Sequence, residues 1–484
     1  MHVALNLRAH CSQTPLTLTT ARAALALVLA RRTFSLAPRN VRTMGVPILE
    51  STDIKAGDSE TLDAKAMAFA GECLRKVQQG GAEAVAEYAQ RFGELTAGQS
   101  AVVQKAELKA AYDSLERADR ECLDRVAARV KKFATCQRDA IRDMETDIPG
   151  GKAGHTVSPV DVAGCYAPGG RYPLPSSVIM TAATARAAGV KKVVVASPKP
   201  LPVTLAAAYV SGADVMLRIG GAHAIAALAT GAYSEEGAPR ADVICGPGNA
   251  WVTAAKACCA THARVGIDML AGPSEVLVVC DETADPEVVA SDMLAQAEHD
   301  VVARPILVTF SKYGKATALK HIHAVNEALD RQLEVLPTKA VAEPAVKRGF
   351  AVACKDVEEA IRVSDAVAPE HLEVICRDER TISKRMNHYG GLFIGRCAAE
   401  VLGDYGIGPN HTLPTSGTAR YTGGLCVNDF LRIRTWMRVD DKKAAQVAVE
   451  DAVRLARIEG LEGHARAAEH RLGGDEPAAK KAKK

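Results

Sequence analysis

The chain has 484 residues, of which 48 % are hydrophobic and 24 % charged, an ordinary composition for a soluble globular protein of about two to four domains. Aromatic residues make up only 4 %, which argues against an RNA-binding surface of exposed, base-stacking rings. The net charge of +3 is close to balance, and the longest apolar stretch near the N-terminus, residues 23–30, is far shorter than the roughly 20 residues that span a membrane. We therefore expect neither a membrane protein nor a nucleic-acid-binding protein.

The first 45 residues have the composition of an organelle transit peptide. The first acidic residue is Glu50, and the segment before it is rich in arginine, serine and threonine but contains no lysine. Leaders of this kind direct proteins to plastids or mitochondria, and composition does not separate the two. The segment could also be a disordered extension, or untranslated sequence if Met44 is the true start. Taking this segment as a transit peptide, we leave residues 1–45 out of the predicted fold.

An N-terminal helical region is predicted over residues 46–155, because residues 64–92 and 105–144 carry apolar side chains at helical spacing. From residue 156 onwards, short β-branched runs alternate with helical segments, which is typical of βαβ units around a mostly parallel sheet. The predicted strands are 157–166, 191–196, 214–219, 242–245, 276–279, 305–310, 350–354, 372–376 and 391–394. The predicted helices between them are 176–188, 201–212, 222–230, from 251, 285–299, 315–329 and 357–366.

The pattern divides this part of the chain into a first α/β block, residues 156–264, and a second, residues 265–430. Residues 431–472 are predicted to form a C-terminal helical tail, with its helix at 444–470, that docks on a partner subunit. Residues 473–484 are lysine-rich and predicted to be disordered, although such a run could also be a nuclear address or bind nucleic acid. The predicted fold class is α/β, with two Rossmann-like parallel-sheet blocks, an N-terminal helical region and a C-terminal helical dimerisation tail.

Three glycine turns follow predicted strands of the first block, at residues 168–170, 220–222 and 246–249. Glycine lets a backbone approach phosphate closely, and helix N-termini offer free N–H groups, so a dinucleotide could lie across these turns. Ordinary βα turns would look the same, and the sequence has neither G-x-G-x-x-G nor a Walker A motif. The 13 cysteines form no C-x-x-C pair, which indicates reduced thiols and not a disulfide framework.

Polar residues inside apolar segments suggest a metal site with an acid and a base. Gln296 and His299 are three residues apart and would project from one face of a helix, where an amide oxygen and an imidazole can both ligate zinc. Glu370 and His371 are adjacent and follow a proline that ends a helix. Taken singly, each of these residues is more often an ordinary surface or core residue than a catalytic one. The remaining candidates are Asp404, His411, Glu459 and His464.

Together these segments resemble the histidinol dehydrogenase family over about residues 60–470. The motifs that carry the resemblance are at 166–170, 246–250, 267–275, 296–299, 368–372, 403–405 and 410–415. The resemblance implies oxidation of L-histidinol to L-histidine through L-histidinal with two NAD, the last step of histidine biosynthesis, in a homodimer with a shared active site.

The resemblance also implies roles for individual residues. His371 would take the alcohol proton, and Glu370 would activate the water that attacks the aldehyde. One zinc ion per subunit would be bound by Gln296, His299, Asp404 and His464 of the partner subunit. The substrate contacts would be Ser274, Gln296, His299, His371, Asp404, His411, Glu459 and His464.

Tyr166, His223 and Asn249 match NAD-contacting positions of the family. His223 stands where the family pattern has glutamine, which puts the affinity for NAD in question. Leu270 replaces the usual proline, a change from which we expect little effect.

Two other interpretations are a zinc enzyme of another reaction class, which would not need NAD, and a non-catalytic protein that binds partners through its basic tail. The three glycine turns argue against the first, and the retained site residues argue against the second. Because plants and algae make histidine in plastids, we expect the chloroplast stroma, with the mitochondrion as the alternative.

Overall fold

The computed structural model describes residues 45–55, 62–169 and 172–472. All but the last residue of the predicted transit peptide, and the whole of the predicted basic tail, therefore lie outside the described residues. Among the described residues, no helix combines the length and the apolar character that crossing a bilayer requires.

The strands of the described chain, numbered in order, are β1 Ile48–Leu49, β2 Val102–Gln104, β3 Met144–Ile148, β4 Gly151–Pro159, β5 Val162–Tyr166, β6 Lys192–Ala196, β7 Val215–Leu217, β8 Val243–Cys245, β9 Gly266–Ile267, β10 Glu275–Cys280, β11 Arg304–Thr309, β12 Phe350–Ala353, β13 His371–Ile375, β14 Gly391–Ile394 and β15 Leu431–Val439.

The α-helices are α1 Ala64–Arg91, α2 Lys105–Ser114, α3 Arg117–Ala140, α4 Pro175–Ala188, α5 Pro202–Val210, α6 Gly221–Thr230, α7 Ala250–His262, α8 Pro286–Ala297, α9 Lys315–Val335, α10 Lys339–Val346, α11 Val357–Val367, α12 Glu379–Ile382, α13 Glu400–Asp404, α14 Lys442–Ile458 and α15 Glu462–Leu472. Short 3₁₀ helices occur at Ser51–Asp53, Ser383–Arg385, Thr418–Arg420 and Val427–Phe430.

The first α/β block is built on a sheet with the strand order β2-β7-β6-β5-β8-β9, which is parallel except for β2. Both faces of this sheet are buried, because Val194 packs into one apolar cluster and Val193 and Val195 into another. Helices α1, α6 and α7 cover the first face, and α2 to α5 cover the second. Burial on both faces explains the continuous β-branched run of β6.

The second block is a fully parallel sheet with the order β1-β12-β11-β10-β13-β14. Val276 and Val278 of β10 pack under α8, α9 and α10, whereas Leu277 and Val279 pack towards α11. The structure thus confirms the predicted α/β fold with two parallel-sheet blocks.

A third sheet was not predicted. Strands β3, β4 and β15 form an antiparallel sheet, with β4 in the centre and β15 paired to it along its whole length. The predictions of a purely helical region at 46–155 and a purely helical tail at 431–472 are therefore wrong at these strands. The alternation of residues 431–439, in which Leu431, Ile433 and Met437 alternate with arginines, was an available strand signal.

Two predicted helix boundaries are also wrong. Helix α8 ends at Ala297, so Gln296 is helical, but His299 lies in the turn that follows. The backbone N–H of His299 donates to the Gln296 carbonyl at 3.2 Å. This bond spans three residues, whereas the hydrogen bonds of an α-helix span four. The predicted single helix at 444–470 is interrupted between α14 and α15, where Gly460 has a positive φ of 77°.

Candidate active site

The candidate catalytic residues lie where two neighbouring strands of the second sheet begin. Strand β10 begins at Glu275 and β13 at His371, and the two strands pair in parallel from Val276 and His371 onwards. This is the amino edge of the sheet, whereas ligands of open α/β sheets usually bind at the carboxyl edge. Residues 268–274 lead to this edge directly from β9 of the first block.

His371 is oriented by a backbone carbonyl. Helix α11 ends in a left-handed residue, Ala368, with a φ of 50°, and the chain then passes through Pro369 into the strand. The His371 ring is buried (3 % exposed), and its Nδ1 lies 3.1 Å from the Glu275 carbonyl oxygen. Because a carbonyl only accepts, Nδ1 carries a hydrogen, and in the neutral form of the ring the lone pair is on Nε2. His371 Nε2 has no hydrogen-bond partner among the described residues and lies 3.7 Å from Asp404 Oδ1.

Glu370 is a buried carboxyl with one backbone donor. Its Oε2 accepts from the Glu275 N–H at 2.9 Å and lies 3.7 Å from His371 Nδ1. Burial raises the pKa of Glu370 to about 8, and the nearby His371 only partly offsets this. The Glu370 carboxyl therefore exchanges protons near neutral pH, the range in which a general base is most effective.

Carboxylates surround His371 and favour its charged form. Glu400 is fully buried, and its Oε2 lies 3.8 Å from His371 Nδ1. Burial alone would lower the pKa of His371, but Glu370, Glu400 and Asp404 outweigh it and hold that pKa well above its ordinary value.

Gln296, His299 and Asp404 come together on the other side of His371. Gln296 is fully buried, and its Nε2 lies 3.2 Å from His299 Nδ1. Its Oε1 is buried without a hydrogen-bond partner among the described residues. His299 Nε2 lies 3.7 Å from Asp404 Oδ2, so Asp404 stands between His299 and His371. In the described part of the chain, no three His, Cys, Asp or Glu side chains alone are placed to hold a metal.

His411, in the loop after α13, lies beside Asp404 and contacts the first block. Its Nδ1–H donates to the Asp404 backbone carbonyl at 2.9 Å, and its Nε2 lies 3.4 Å from Ser177 Oγ on α4. Burial lowers the pKa of His411, which keeps the ring neutral near pH 7 even though Asp404 opposes the shift. Ser274 is half-buried and immediately precedes β10, and its carbonyl accepts from the Arg304 N–H.

Glu459 and His464 are not brought to this cluster within one chain. Both side chains are exposed at the junction of α14 and α15. Among the described residues, no hydrogen bond or ion pair joins either side chain to the other candidates.

The three candidate NAD contacts lie at the carboxyl edge of the first sheet. The Tyr166 hydroxyl, at the end of β5, accepts from the Gly221 N–H at 3.1 Å. Asn249 caps α7, where its Oδ1 accepts from the Trp251 and Val252 N–H groups at 3.1 and 3.2 Å. No backbone acceptor is found among the described residues for the N–H groups of residues 248–250, and such groups at a helix N-terminus can bind an anion.

His223 is buried (2 % exposed) and turned towards Glu94. Its Nε2 lies 2.8 Å from Glu94 Oε2, and the same oxygen accepts from the Gly220 N–H at 3.1 Å. His223 therefore contacts the glycine turn through Glu94, and its ring stacks with Phe92 at 5.6 Å between centroids.

Sequence reasoning missed several buried charged residues around the site. These are Lys256, Glu275 and Glu400, which are buried, and Glu94 and Asp268, whose side chains are 10 % and 0 % exposed. Glu275 and Asp268 belong to a recognised motif, and a carboxylate at the start of a fully apolar strand is a signal in itself, since such groups are seldom buried unpaired. Lys256 and Glu400 carried no comparable local signal.

The sequence family decides between the possible interpretations of this geometry. A family model described as histidinol dehydrogenase matches residues 58–472. The chain is 40 % identical over 428 residues to the histidinol dehydrogenase of Cupriavidus pinatubonensis, which covers 86 % of this chain and 92 % of that protein. It is 41 % identical over 406 residues to the enzyme of Parasynechococcus marenigrum, covering 82 % and 89 %. The chain belongs to the histidinol dehydrogenase family.

The fold agrees with this assignment. The crystal structure of histidinol dehydrogenase from Elizabethkingia anophelis superposes with a TM-score of 0.81 at 28 % identity, over 90 % of this chain and 99 % of that one. The protein is accordingly an NAD-dependent oxidoreductase that acts on histidinol, as the resemblance predicted.

Proposed function

We propose that this protein catalyses the zinc-dependent, four-electron oxidation of L-histidinol to L-histidine through L-histidinal with two NAD⁺, the last step of histidine biosynthesis. The observation that carries the proposal is the placement of Glu370 and His371. The two are adjacent and buried, and the unpaired His371 Nε2 points towards the space that Asp404, His299 and Gln296 enclose.

The residues present fit a zinc ion. Gln296 Oε1 is a fully buried acceptor with no donor among the described residues, and burial of such an atom is costly unless a cation or a hydrogen bond satisfies it. With an imidazole nitrogen of His299 and a carboxylate oxygen of Asp404, it makes a mixed N/O donor set of the kind that zinc accepts. His464 of the partner subunit would complete the set.

Zinc, NAD and the protein residues would each have a different role in the reaction. When bound, zinc would orient the substrate nitrogens and NAD would supply the hydride acceptor. His371 Nε2 would take the alcohol proton, because Nδ1 is already committed to the Glu275 carbonyl. A neighbouring dication would counter the carboxylates that hold the His371 pKa high and so favour the neutral ring. Glu370 would deprotonate the water that adds to the aldehyde.

The cofactor site is proposed at the turn after β8. The unpaired N–H groups of residues 248–250 at the start of α7 suit a pyrophosphate, and Tyr166 and Asn249 flank this turn. We propose that His223 acts on the site indirectly, by holding Glu94 on the Gly220 N–H.

A homodimer would supply Glu459 and His464 to the partner's site. The α14–α15 hairpin is partly apolar on its outside, with Val447, Leu455 and Ile458 each more than half exposed. An apolar face on a self-packed hairpin favours association with another chain. Glu459 and His464 lie at the tip of this hairpin, where a second copy could receive them.

We further propose a plastid location, with residues 1–45 as the leader, because the segment before Glu50 has no acidic residue and no lysine and is rich in arginine, serine and threonine. A fusion of residues 1–45 to a fluorescent protein in plant cells would test this: chloroplast fluorescence is expected, and mitochondrial or cytosolic fluorescence would contradict it.

The decisive experiment is to count NADH. Protein lacking residues 1–45 is incubated with limiting L-histidinol and excess NAD⁺, with and without a chelator. Two NADH per histidinol, lost on chelation and restored by zinc, are expected. Zinc binding without any NADH formation would instead point to another reaction class.

A further inference from the structure

The turn after β8 is held in an unusual backbone conformation. Gly246 has a φ of 121°, and a Cβ atom at this position would lie 2.0 Å from the Tyr166 carbonyl oxygen. Only glycine tolerates this geometry, and it places the following residues, up to Asn249, at the start of α7. The turn therefore needs other groups to hold it, because glycine adds no side-chain contacts and leaves the backbone free to move.

Both peptide groups of Gly246 are bound by one buried ion pair. The Gly246 N–H donates to Asp268 Oδ2 at 2.8 Å, and the Gly246 carbonyl accepts from Lys256 Nζ at 3.0 Å. Lys256 Nζ and Asp268 Oδ1 are themselves in direct contact, and their side chains are 2 % and 0 % exposed. Lysine is almost never buried to this degree without a partner, so the ion pair is an integral part of the structure of this turn.

The pair also connects the two halves of the site. Lys256 lies on α7, whereas Asp268 follows β9 and begins the segment that ends at Ser274 and Glu275. Thr253, also on α7, donates to the Ala271 carbonyl of the same segment at 2.8 Å. The turn after β8 and the segment leading to the catalytic edge are therefore fixed to one helix.

We propose that Lys256 and Asp268 are positioning residues for the dinucleotide, whose buried ion pair fixes the Gly246 turn and so aims the free N–H groups of residues 248–250. This inference rests on the proposed cofactor site at that turn. Neither side chain needs to touch the cofactor, since both are enclosed by protein.

The test separates stability from cofactor binding. The single variant K256M leaves Asp268 buried and unpaired, so a lower melting temperature is expected. The double variant K256M/D268L removes both charges and both hydrogen bonds to Gly246. Its melting temperature is expected to recover towards wild type, because apolar replacements of buried ion pairs are tolerated. Its dissociation constant for NADH is expected to rise at least about tenfold, since the turn is no longer held.

NADH binding can be followed by the fluorescence of Trp251, which is 44 % exposed two residues beyond Asn249. The only other tryptophan, Trp436, is removed by W436F in all proteins compared. L-Histidinol binding to the zinc-loaded proteins, measured by calorimetry, is expected to change less than about twofold, because the proposed substrate residues are retained and Thr253 still holds the segment before Ser274 through the Ala271 carbonyl.

A matched control is the pair Arg186–Asp214, in contact at 2.5 Å near the amino edge of the same sheet. R186M/D214L is expected to lower the melting temperature, because Arg186 also donates to the carbonyls of Gly212 and Val190, without altering NADH affinity. Wild-type NADH affinity in K256M/D268L would overturn the inference and leave the proposed function intact. A wild-type protein that binds no NADH would overturn the proposed cofactor site and the inference together. If K256M/D268L does not fold, the single variant K256M replaces it, because it removes the hydrogen bond to the Gly246 carbonyl, and unchanged NADH affinity would again overturn the inference.

Discussion

Glu370 and His371 are neighbours in sequence, but the structure gives them different surroundings. His371 is oriented through Nδ1 by the Glu275 carbonyl, whereas Glu370 accepts from the Glu275 N–H. One residue of the adjacent strand thus fixes both groups through its own peptide atoms. This arrangement is consistent with the separate roles proposed for the two side chains in the two proposed oxidation steps.

The variant E370Q is expected to separate these steps. Glutamine keeps the size and can accept from the Glu275 N–H, but it cannot take a proton from water. The first oxidation should proceed, and the second should slow by about 10²- to 10⁴-fold, the usual contribution of a general base. Rapid-mixing measurements should then show one NADH formed quickly per site instead of two. Equal slowing of both steps would contradict the assignment.

The pH dependence of the second step follows from the burial of Glu370. Its pKa is raised to about 8, and the base form is the ionised carboxylate. The rate with L-histidinal as substrate is therefore expected to rise as the pH increases from 7 to about 9 and then to level off. The E370Q variant should lack this rising limb. A wild-type rate that falls over the same range would argue against Glu370 as the base.

At the scale of elements, most candidate site residues lie at or just beyond the ends of helices and strands and not in their middle. His371 and Glu275 begin strands, His299 follows the end of α8, and Asn249 caps α7. The periodic patterns of apolar residues predicted most helices and strands of the two blocks, because burial on both faces of a sheet imposes strong local patterns. In the sheet of β3, β4 and β15, the pairing of β4 with β15 joins segments about 270 residues apart, as Ser158 and Arg432 show, and no local pattern predicts such a pairing. The hairpin of β3 and β4 and the alternation in β15 are local and were missed.

The hairpin α14–α15 is the element proposed to carry the dimer contact. Leu455→Glu places a charge on its exposed apolar outside, where burial against a second chain would be costly. The dissociation constant of the dimer is expected to rise at least about tenfold, as measured by sedimentation or light scattering. Val335→Glu, at an 82 % exposed position on α9, serves as the matched control and should leave the dimer unchanged. An unaltered L455E dimer would place the interface elsewhere.

At the scale of the whole molecule, the proposed dimer makes an active site that no single chain completes. If His464 serves the partner's site, H464N and H371N subunits should complement each other. In a mixed dimer, one site would combine an intact His371 with an intact His464, and the other site would lack both. Mixed dimers isolated with two affinity tags are expected to show about half of the wild-type activity per dimer, in line with a two-fold symmetric interface.

The control for this experiment is each variant alone, for which little activity is expected. If His464 acted within its own chain, each site of the mixed dimer would lack one residue. The mixed dimer would then be as inactive as its parents, and the proposal of a shared site would be wrong.

The sequence by itself determined the family and the α/β class, and it supplied the candidate residues for the catalytic roles proposed above. It could do so because the motifs are short and contiguous, and because parallel strands buried on both faces impose recognisable patterns. Gln296 and His299 remained close in space although the predicted helix ended early, since the turn after α8 replaces the last helical step.

Only the tertiary structure decided which of these residues meet. Asp404 and His371 face each other across 33 positions of the chain, and Ser177 meets His411 across 234. It also revealed the buried pair Lys256–Asp268 behind the Gly246 turn and the contact between His223 and Glu94. The physical reason is that burial and pairing of charged groups depend on neighbours distant in sequence, and no local pattern reports those neighbours.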